Sequence, residues 1–233
     1  LSMNFFFVFY SYILYQYING TDSRNFINYL KNLKYDIDYY NDCKKNNSFT
    51  LHDTHNFNKI TNEQFITNII NTIKTYLLNI AKLIYKVQKI DIAHLDIKPE
   101  NIILENMTKD MWLNYKNFDV NDLLNMSQNM YLIDFGFNKP VNLHNKKLIN
   151  TNRCGTIKYI SPEMLNKQYN CTSDVYSFGI ILQEILDNTK FYFEYCEQLN
   201  DSRLLLKNML KPKTTDRYDI IDVLNNDWLN SGV

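Results

Sequence analysis

Glycine is scarce in this chain of 233 residues, which contains only five. The two nearest of them are far too distant for a Gly-x-Gly-x-x-Gly loop, so that nucleotide-binding motif is excluded from the sequence. The four cysteines show no Cys-x-x-Cys spacing, which favours free thiols in a reducing compartment over disulfides or a zinc site.

An excess of one charge is also missing, since 25 basic residues balance 25 acidic ones. Without a net charge, no long-range field attracts the chain to nucleic acid or to a membrane, and we expect neither as a partner. The aromatic run at residues 3–14 has no basic residue before it and is shorter than the roughly 20 apolar residues of a membrane-spanning helix. We therefore predict β-strands there, in a cytoplasmic or nuclear protein.

Two motifs carry chemistry, at residues 94–101 (HLDIKPEN) and 134–136 (DFG). Phosphoryl transfer needs a carboxylate that accepts the hydroxyl proton, a cation near the moving phosphate, and oxygen ligands for magnesium. The two motifs contain all of these groups, in Asp96, Lys98, Asn101 and Asp134. They resemble the catalytic loop and the metal-binding triplet of protein kinases, with Leu95 where many members have Arg.

The resemblance runs from about Phe5 to Trp228. Residues 154–163 (CGTIKYISPE) resemble the end of a kinase activation segment, and residues 174–179 (DVYSFG) resemble the start of a buried central helix. Residues 13–22 are similar to the fifth strand and the adenine-binding hinge. The chain thus resembles the large, C-terminal lobe of a eukaryotic-type serine/threonine protein kinase.

The fold implied by this resemblance is mainly α, a kinase-like C-terminal lobe with a few short β-strands at its N-terminus and around the catalytic loop. Residues 1–22 would be the end of the small lobe and the hinge, and residues 23–233 the C-terminal lobe, with insertions at about 35–60 and 105–129. Because the glycine loop and the third-strand lysine are missing, we expect a small lobe upstream in the full-length chain. The isolated chain would be inactive without it.

Apolar periodicity and capping residues predict the elements around these motifs. They are a short helix at 23–33, a long amphipathic helix from a capping box at Thr61 and Gln64 to about Val87, strands at 102–104 and 130–133, and a helix at 174–186 capped by Ser173.

Catalytic roles follow from the resemblance. Asp96 would accept the substrate hydroxyl proton, Lys98 would neutralise the transferring phosphate, and Thr156 would hydrogen-bond both of them. Asn101 and Asp134 would hold Mg²⁺, which prefers oxygen ligands. Lys98 and Thr156 together indicate serine/threonine specificity.

ATP would bind at the hinge. By position, Tyr15 is the gatekeeper, the backbones of Gln16 and Ile18 contact adenine, Asp22 reaches the ribose, and Ile103 forms the floor under the base. The alternative is a hinge that no longer binds ATP, since backbone contacts depend little on residue type.

Other residues have structural roles in the family. The resemblance implies an ion pair between Glu163 and Arg217, and a bond from Asp174 to the catalytic-loop backbone. His94 and Phe135 would stack on one another, so we do not expect His94 to act as an acid or base.

Regulation and substrate choice are also implied. Leu95 replaces the arginine that clamps a phosphate on the activation segment, and Asn152 stands where the phosphorylated residue is expected, beside Thr151. We therefore expect activity without phosphorylation of residues 134–163. Three acidic residues correspond to those that bind basic residues two or three positions before the phosphorylated Ser or Thr, although ribose and loop contacts are the alternative for two of them. They are Asp22, Glu100 and Glu184.

Two classes of function remain open. The first is an active serine/threonine kinase in signalling, which transfers the γ-phosphate of ATP to protein hydroxyls with Mg²⁺. The second is a truncated or degenerate pseudokinase that serves as a binding scaffold. The presence of every catalytic residue of the large lobe favours the enzyme.

Overall fold

A computed structural model describes residues 20–45, 63–105, 129–152, 155–195 and 198–231 of the chain. The strands predicted within residues 3–14, the hinge before Gly20 and the Thr61 end of the predicted capping box lie outside the described residues. Of the predicted insertion at 105–129, only the two ends are described.

Helices make up most of the described residues, which confirms the mainly α prediction. They are α1 (Arg24–Lys45), α2 (Glu63–Gln88), α3 (Pro162–Leu165), α4 (Ser173–Tyr195), α5 (Leu199–Met209), α6 (Ile220–Leu224) and α7 (Asp227–Asn230). Among the described residues, no helix is both long enough and apolar enough to cross a membrane.

Helix α2 forms the centre of the main core. Isoleucines and other apolar residues recur every three or four positions along it, so one face is buried, while Lys82 and Lys86 lie on the exposed side. Ile66, Ile73 and Ile80 on this face are at most 1% exposed. The buried face packs against α4, α6 and α7. The long amphipathic helix predicted before the catalytic loop is therefore confirmed.

Helix α1 is longer than predicted. The expected end at Leu33 was wrong, because the helix continues to Lys45. Leu30, Leu33 and Ile37 are spaced three and four residues apart and are all at most 5% exposed, so the apolar face extends into the segment that was predicted to be an insertion. The first part of the predicted 35–60 insertion is consequently helical.

Helix α4 also differs from its prediction, at both ends. It begins at Ser173 itself and continues past Leu186 to Tyr195. The Ser173 hydroxyl donates to Glu163 and accepts from the backbone N–H of Asn170, so it does not act as the predicted cap. The added turns are held by tertiary packing: the ring of Phe193 lies 5.8 Å from that of Trp228.

Short antiparallel strands surround the catalytic loop. The largest sheet has the order β1 (Gly20–Asp22), β3 (Ile102–Glu105), β4 (Met130–Leu132). Two further pairs join β2 (Ile92–Ala93) to β5 (Lys139–Pro140) and β6 (Ile149–Asn150) to β7 (Gln168–Tyr169). The strands predicted at 102–104 and 130–133 are confirmed to within one residue.

Candidate active site

The loop after β2 is held by a buried carboxylate. Asp174, near the start of α4, accepts hydrogen bonds from the backbone N–H groups of His94 at 2.9 Å and Leu95 at 2.8 Å. Leu95 has a φ of 63°, a left-handed conformation that costs a β-carbon-bearing residue on the order of 1 kcal/mol or more. The carboxylate offsets this cost by bonding both N–H groups, as predicted for Asp174.

His94 links the two motifs. Its Nε2–H donates to the carbonyl of Ile133 at 3.0 Å, and its Nδ1 accepts from the backbone N–H of Asp96 at 3.3 Å. Burial lowers the pKa of His94, so the ring is neutral and needs no further proton partner. The ring of Phe135 lies edge-on at 4.8 Å, which confirms the predicted contact. His94 therefore connects the catalytic loop to the segment that carries Phe135.

Asp96 lies at the centre of a dense set of hydrogen bonds. Its Oδ1 accepts from both the backbone N–H and the hydroxyl of Thr156, each at 2.8 Å. Its Oδ2 accepts from Lys98 Nζ at 2.8 Å and from Asn101 Nδ2 at 3.0 Å. Although burial raises the pKa of Asp96, the hydrogen bonds from Lys98 and Thr156 outweigh it and lower the pKa overall. The group is thus an ionised carboxylate at neutral pH.

Lys98 connects the loop to the activation segment. Its Nζ donates to Asp96 and, at 2.9 Å, to the hydroxyl of Thr156, which confirms the predicted triangle of side chains. A fifth of the Lys98 side chain remains exposed, whereas the Asp96 side chain is almost fully buried. The Lys98 ammonium group is therefore partly exposed to solvent, while the Asp96 carboxylate that it bonds is buried.

Asn101 lies beside this carboxylate, and Asp134 follows a residue that bonds to Asn101. The amide nitrogen of Asn101 donates to the backbone oxygen and to Oδ2 of Asp96, so its amide oxygen can serve as a ligand. The backbone oxygen of Asn101 accepts from Ile133, which places Asp134 at the next position along the chain. The exposed Asp134 has a φ of 61°, and its Oδ1 accepts from Gly136 at 3.3 Å.

This donor set fits magnesium. The described residues hold no group of three or more His, Cys, Asp and Glu side chains that could bind a metal on their own. Magnesium keeps several waters and takes one or two protein oxygens together with phosphate oxygens, so one carboxylate and one amide are sufficient. The residues predicted to hold Mg²⁺ are compatible with that role.

The expected ATP contacts are only partly described. Tyr15, Gln16 and Ile18 lie outside the described residues. Asp22 and Ile103 are paired opposite each other in the β1–β3 register, and Ile103 is buried. The Asp22 carboxylate accepts from the backbone N–H of Arg24 at 3.1 Å, so it also stabilises the start of α1.

Glu163 and Arg217 form the predicted ion pair. The two oxygens of Glu163 accept from the two terminal nitrogens of Arg217 at 2.7 and 2.9 Å, and Arg217 is 1% exposed. Ser173 also donates to Glu163, while the carbonyl of Lys211 accepts from Arg217 at 2.8 Å. Burial raises the pKa of Glu163, but the bonds from Arg217 outweigh it and lower the pKa overall.

Sequence reasoning missed the environment of Leu95. Its side chain is 2% exposed and lies in an apolar cluster that joins the catalytic loop to the activation segment. The cluster consists of Ala93, Leu95, Val141, Ile160, Met164, Tyr169 and Cys171. Gly155 has a φ of 88°, and a β-carbon there would lie 2.6 Å from the Leu95 oxygen, so only glycine fits this approach.

Arg24 was missed as well. Its Nε donates to Glu100 at 2.8 Å, and one terminal nitrogen donates to Glu184 at 2.5 Å. The other terminal nitrogen donates to the hydroxyl of Tyr159. Of the three acidic residues singled out in the sequence, Glu100 and Glu184 are thus brought together around an arginine of the same chain, while the Asp22 carboxylate accepts from the Arg24 backbone. No local motif marks Arg24, because its partners lie 76 and 160 residues away.

A family model described as "Protein kinase domain" matches residues 16–229. Human MAP kinase-activated protein kinase 2 is 25% identical over 177 residues, covering 65% of this chain and 39% of that protein. The DNA damage response protein kinase DUN1 of Saccharomyces cerevisiae is 31% identical over 163 residues, covering 60% of this chain and 31% of DUN1. The serine/threonine-protein kinase unc-51 of Caenorhabditis elegans is 28% identical over 182 residues, covering 69% and 20%. The chain spans less than half the length of each.

Proposed function

Because the chain belongs to the protein kinase domain family, we propose that the full-length protein transfers the γ-phosphate of ATP to serine and threonine hydroxyls of other proteins. The observation that carries this proposal is the arrangement around Asp96, whose ionised carboxylate is bonded by Lys98, Thr156 and Asn101. Members of the family use ATP and Mg²⁺.

Asp96 receives the proton of the substrate hydroxyl in this proposal. Its lowered pKa keeps it ionised, and its bonds to Thr156 hold the carboxylate in one orientation, so it can align the hydroxyl for in-line attack. Lys98 contributes positive charge at the same point, and its exposed end can follow the moving phosphoryl group. Thr156 positions both groups.

Asn101 and Asp134 would hold Mg²⁺ through the amide oxygen and the carboxylate. The ion, when bound, neutralises phosphate charge. Ile103 would lie under the base and Asp22 near the ribose, while Tyr15, Gln16 and Ile18 would contribute the hinge contacts. These assignments are supported by the family position of each residue and, for Asp22 and Ile103, by their pairing across β1 and β3.

The same family positions support a division of the chain. In this proposal residues 23–233 form the C-terminal lobe, and residues 1–22 the hinge and the end of a small lobe. A cytoplasmic or nuclear location is proposed with it. The pseudokinase alternative is not favoured, because the base, the cation and both oxygen ligands are all present in the sequence.

The proposed substrates carry Arg or Lys two or three residues before the phosphorylated Ser or Thr. Support comes from Glu100, which lies within the catalytic loop, and from Glu184, whose carboxylate lies beside it on α4. Charge-assisted bonds from a guanidinium to a carboxylate are strong and directional, so such a site could discriminate basic substrates.

Asp96→Asn in the full-length protein tests the catalytic assignment. The amide cannot accept the proton, so we expect phosphoryl transfer to fall by about 10²-fold or more. Radiolabelled phosphate transfer to a generic protein substrate measures it, with unchanged thermal unfolding as evidence of an intact fold. Asp219→Asn is the matched control, because Asp219 caps α6 and Asn is also a good cap. Near-normal transfer by Asp96→Asn would refute the assignment.

A further inference from the structure

Arg24 is fixed beside the catalytic loop by its neighbour. The backbone N–H and the hydroxyl of Ser23 both donate to the carbonyl of Pro99, at 3.1 and 2.9 Å, and Tyr76 in turn donates to the Ser23 hydroxyl. All of these side-chain bonds are buried. The start of α1 is thus anchored to the residue before Glu100, which sets the guanidinium of Arg24 against that carboxylate.

The Arg24 guanidinium bonds to two carboxylates, those of Glu100 and Glu184. Arg24 donates to Glu100 and Glu184 through different nitrogens, and the Tyr159 hydroxyl donates to Glu184 at 2.8 Å. Lys158 also pairs with Glu184. Although burial lowers the pKa of Arg24, the bonds to Glu100 and Glu184 outweigh it and raise the pKa overall. The charges of Arg24 and Lys158 therefore balance those of Glu100 and Glu184. The two carboxylates, called the Glu100–Glu184 pair below, present little net charge to solvent.

This neutralised pair lies close to the reacting groups along the chain. Glu100 is two residues from Lys98, and Lys158 is two residues from Thr156. Both Lys98 and Thr156 bond to Asp96. An extended peptide advances about 3.3 Å per residue, so a substrate residue two or three positions from a hydroxyl at Asp96 can reach this region.

Resting on the function proposed above, we propose that Arg24 is a specificity-determining residue. It binds in cis the Glu100–Glu184 pair that a basic residue of a substrate would otherwise bind. A substrate arginine must displace it, so the preference for basic residues is much weaker than the two carboxylates alone would produce.

The competition favours Arg24. A group tethered to the same chain acts at an effective concentration on the order of millimolar, whereas a peptide substrate at about 10–100 μM is far more dilute. The Arg24 side chain is nonetheless 25% exposed and that of Glu100 is 44% exposed, so solvent and a second guanidinium can reach the pair. Displacement is possible but costs the bonds that Arg24 makes.

Peptide binding tests this without catalysis. Fluorescence anisotropy measures the Kd of two labelled peptides that have Ala at the phosphorylated position, one with Arg two and three residues upstream and one with citrulline there. In the full-length wild-type protein we expect the Arg peptide to bind only about threefold more tightly than the citrulline peptide, because Arg24 holds the pair. In Arg24→Gln, which keeps most of the side-chain length, we expect the Arg peptide to bind at least about tenfold more tightly than the citrulline peptide.

Two further variants separate this effect from its alternatives. The double variant Arg24→Gln, Glu184→Gln also removes one of the two carboxylates. The ratio of the Kd values of the citrulline and Arg peptides should therefore return toward that of the wild type. Arg203→Gln removes one exposed positive charge from α5 and should leave the ratio of the two Kd values as it is in the wild type. The inference is overturned if a folded Arg24→Gln protein discriminates as the wild type does, or if the double variant discriminates as strongly as the single one.

The same variants distinguish failure of the inference from failure of the kinase assignment. Transfer of phosphate to the corresponding Ser peptides gives the ratio of kcat/KM for Arg and citrulline forms. Suppose that the wild type transfers phosphate, but that Arg24→Gln has the same ratio of Kd values and the same ratio of kcat/KM values for the two peptides. Then only the inference about Arg24 fails. If no variant transfers phosphate, the kinase proposal fails, while the Kd values still decide whether Arg24 occupies the pair.

Discussion

Two arginines each bind carboxylates in this molecule, but they differ in burial. The side chains of Arg217 and Glu163 are 0% and 5% exposed, and carbonyl oxygens take the remaining donors of the guanidinium. Arg24 is 25% exposed, and its partners Glu100 and Glu184 are 44% and 13% exposed. The first site excludes any competitor, whereas the second is open to solvent. Exposure thus distinguishes an ion pair that holds the fold together from one that another molecule can enter.

Arg217→Met should have the largest effect on stability. The substitution leaves Glu163 buried without its charge partner, which costs about 3–5 kcal/mol. For a chain of this size we expect the midpoint of thermal unfolding to fall by on the order of 10 °C, as measured by circular dichroism. A loss no larger than that of an Arg24 variant would remove the distinction between the two sites.

The second largest effect should be on the pH dependence of the free energy of unfolding, through the buried Glu163–Arg217 ion pair. The pKa of Glu163 is lowered by Arg217 from its ordinary value of 4.5, so the stabilisation is fully present above about pH 4.5. It is lost as the pH falls through the lower pKa of the folded state. The difference in unfolding free energy between wild type and Glu163→Gln should be constant from pH 6 to 7 and should shrink below about pH 4.5. Denaturant unfolding at several pH values measures it, and a difference independent of pH would contradict the ion pair.

Sequence reasoning identified the Arg217 site and missed the Arg24 site for a physical reason. Glu163 and Arg217 each stand in a recognisable motif. Arg24 stands in no motif, and its partners come from the catalytic loop and from α4. The same limit applies to the helices: the ends of α1 and α4 depend on tertiary packing of Ile37 and Phe193, which no local capping signal records. The catalytic loop was predictable because its polar groups lie within eight consecutive residues that form a family motif.

Arg24→Ala should have a small effect on stability. Solvent screens part of the attraction, so an ion pair this exposed contributes about 1 kcal/mol or less. We expect the thermal midpoint to fall by about 2–4 °C at most, with Arg203→Ala as a control that changes the same charge elsewhere. A loss comparable to that of Arg217→Met would show that Arg24 is needed for the fold, and would count against an exchangeable role.

The smallest effect is expected at Thr151, in the segment that follows the DFG motif. Many kinases bind a phosphorylated residue with the arginine that Leu95 replaces, but here Leu95 contacts the activation segment through apolar packing. The Thr151 hydroxyl is buried without a hydrogen-bond partner, so its removal exposes no new unpaired group. Thr151→Ala in the full-length protein should therefore change phosphoryl transfer by less than about twofold. Thr156→Ala is the matched control in the same segment and should reduce transfer strongly, because its hydroxyl bonds to Asp96. A large loss in Thr151→Ala would indicate that modification of the segment controls activity despite the apolar cluster.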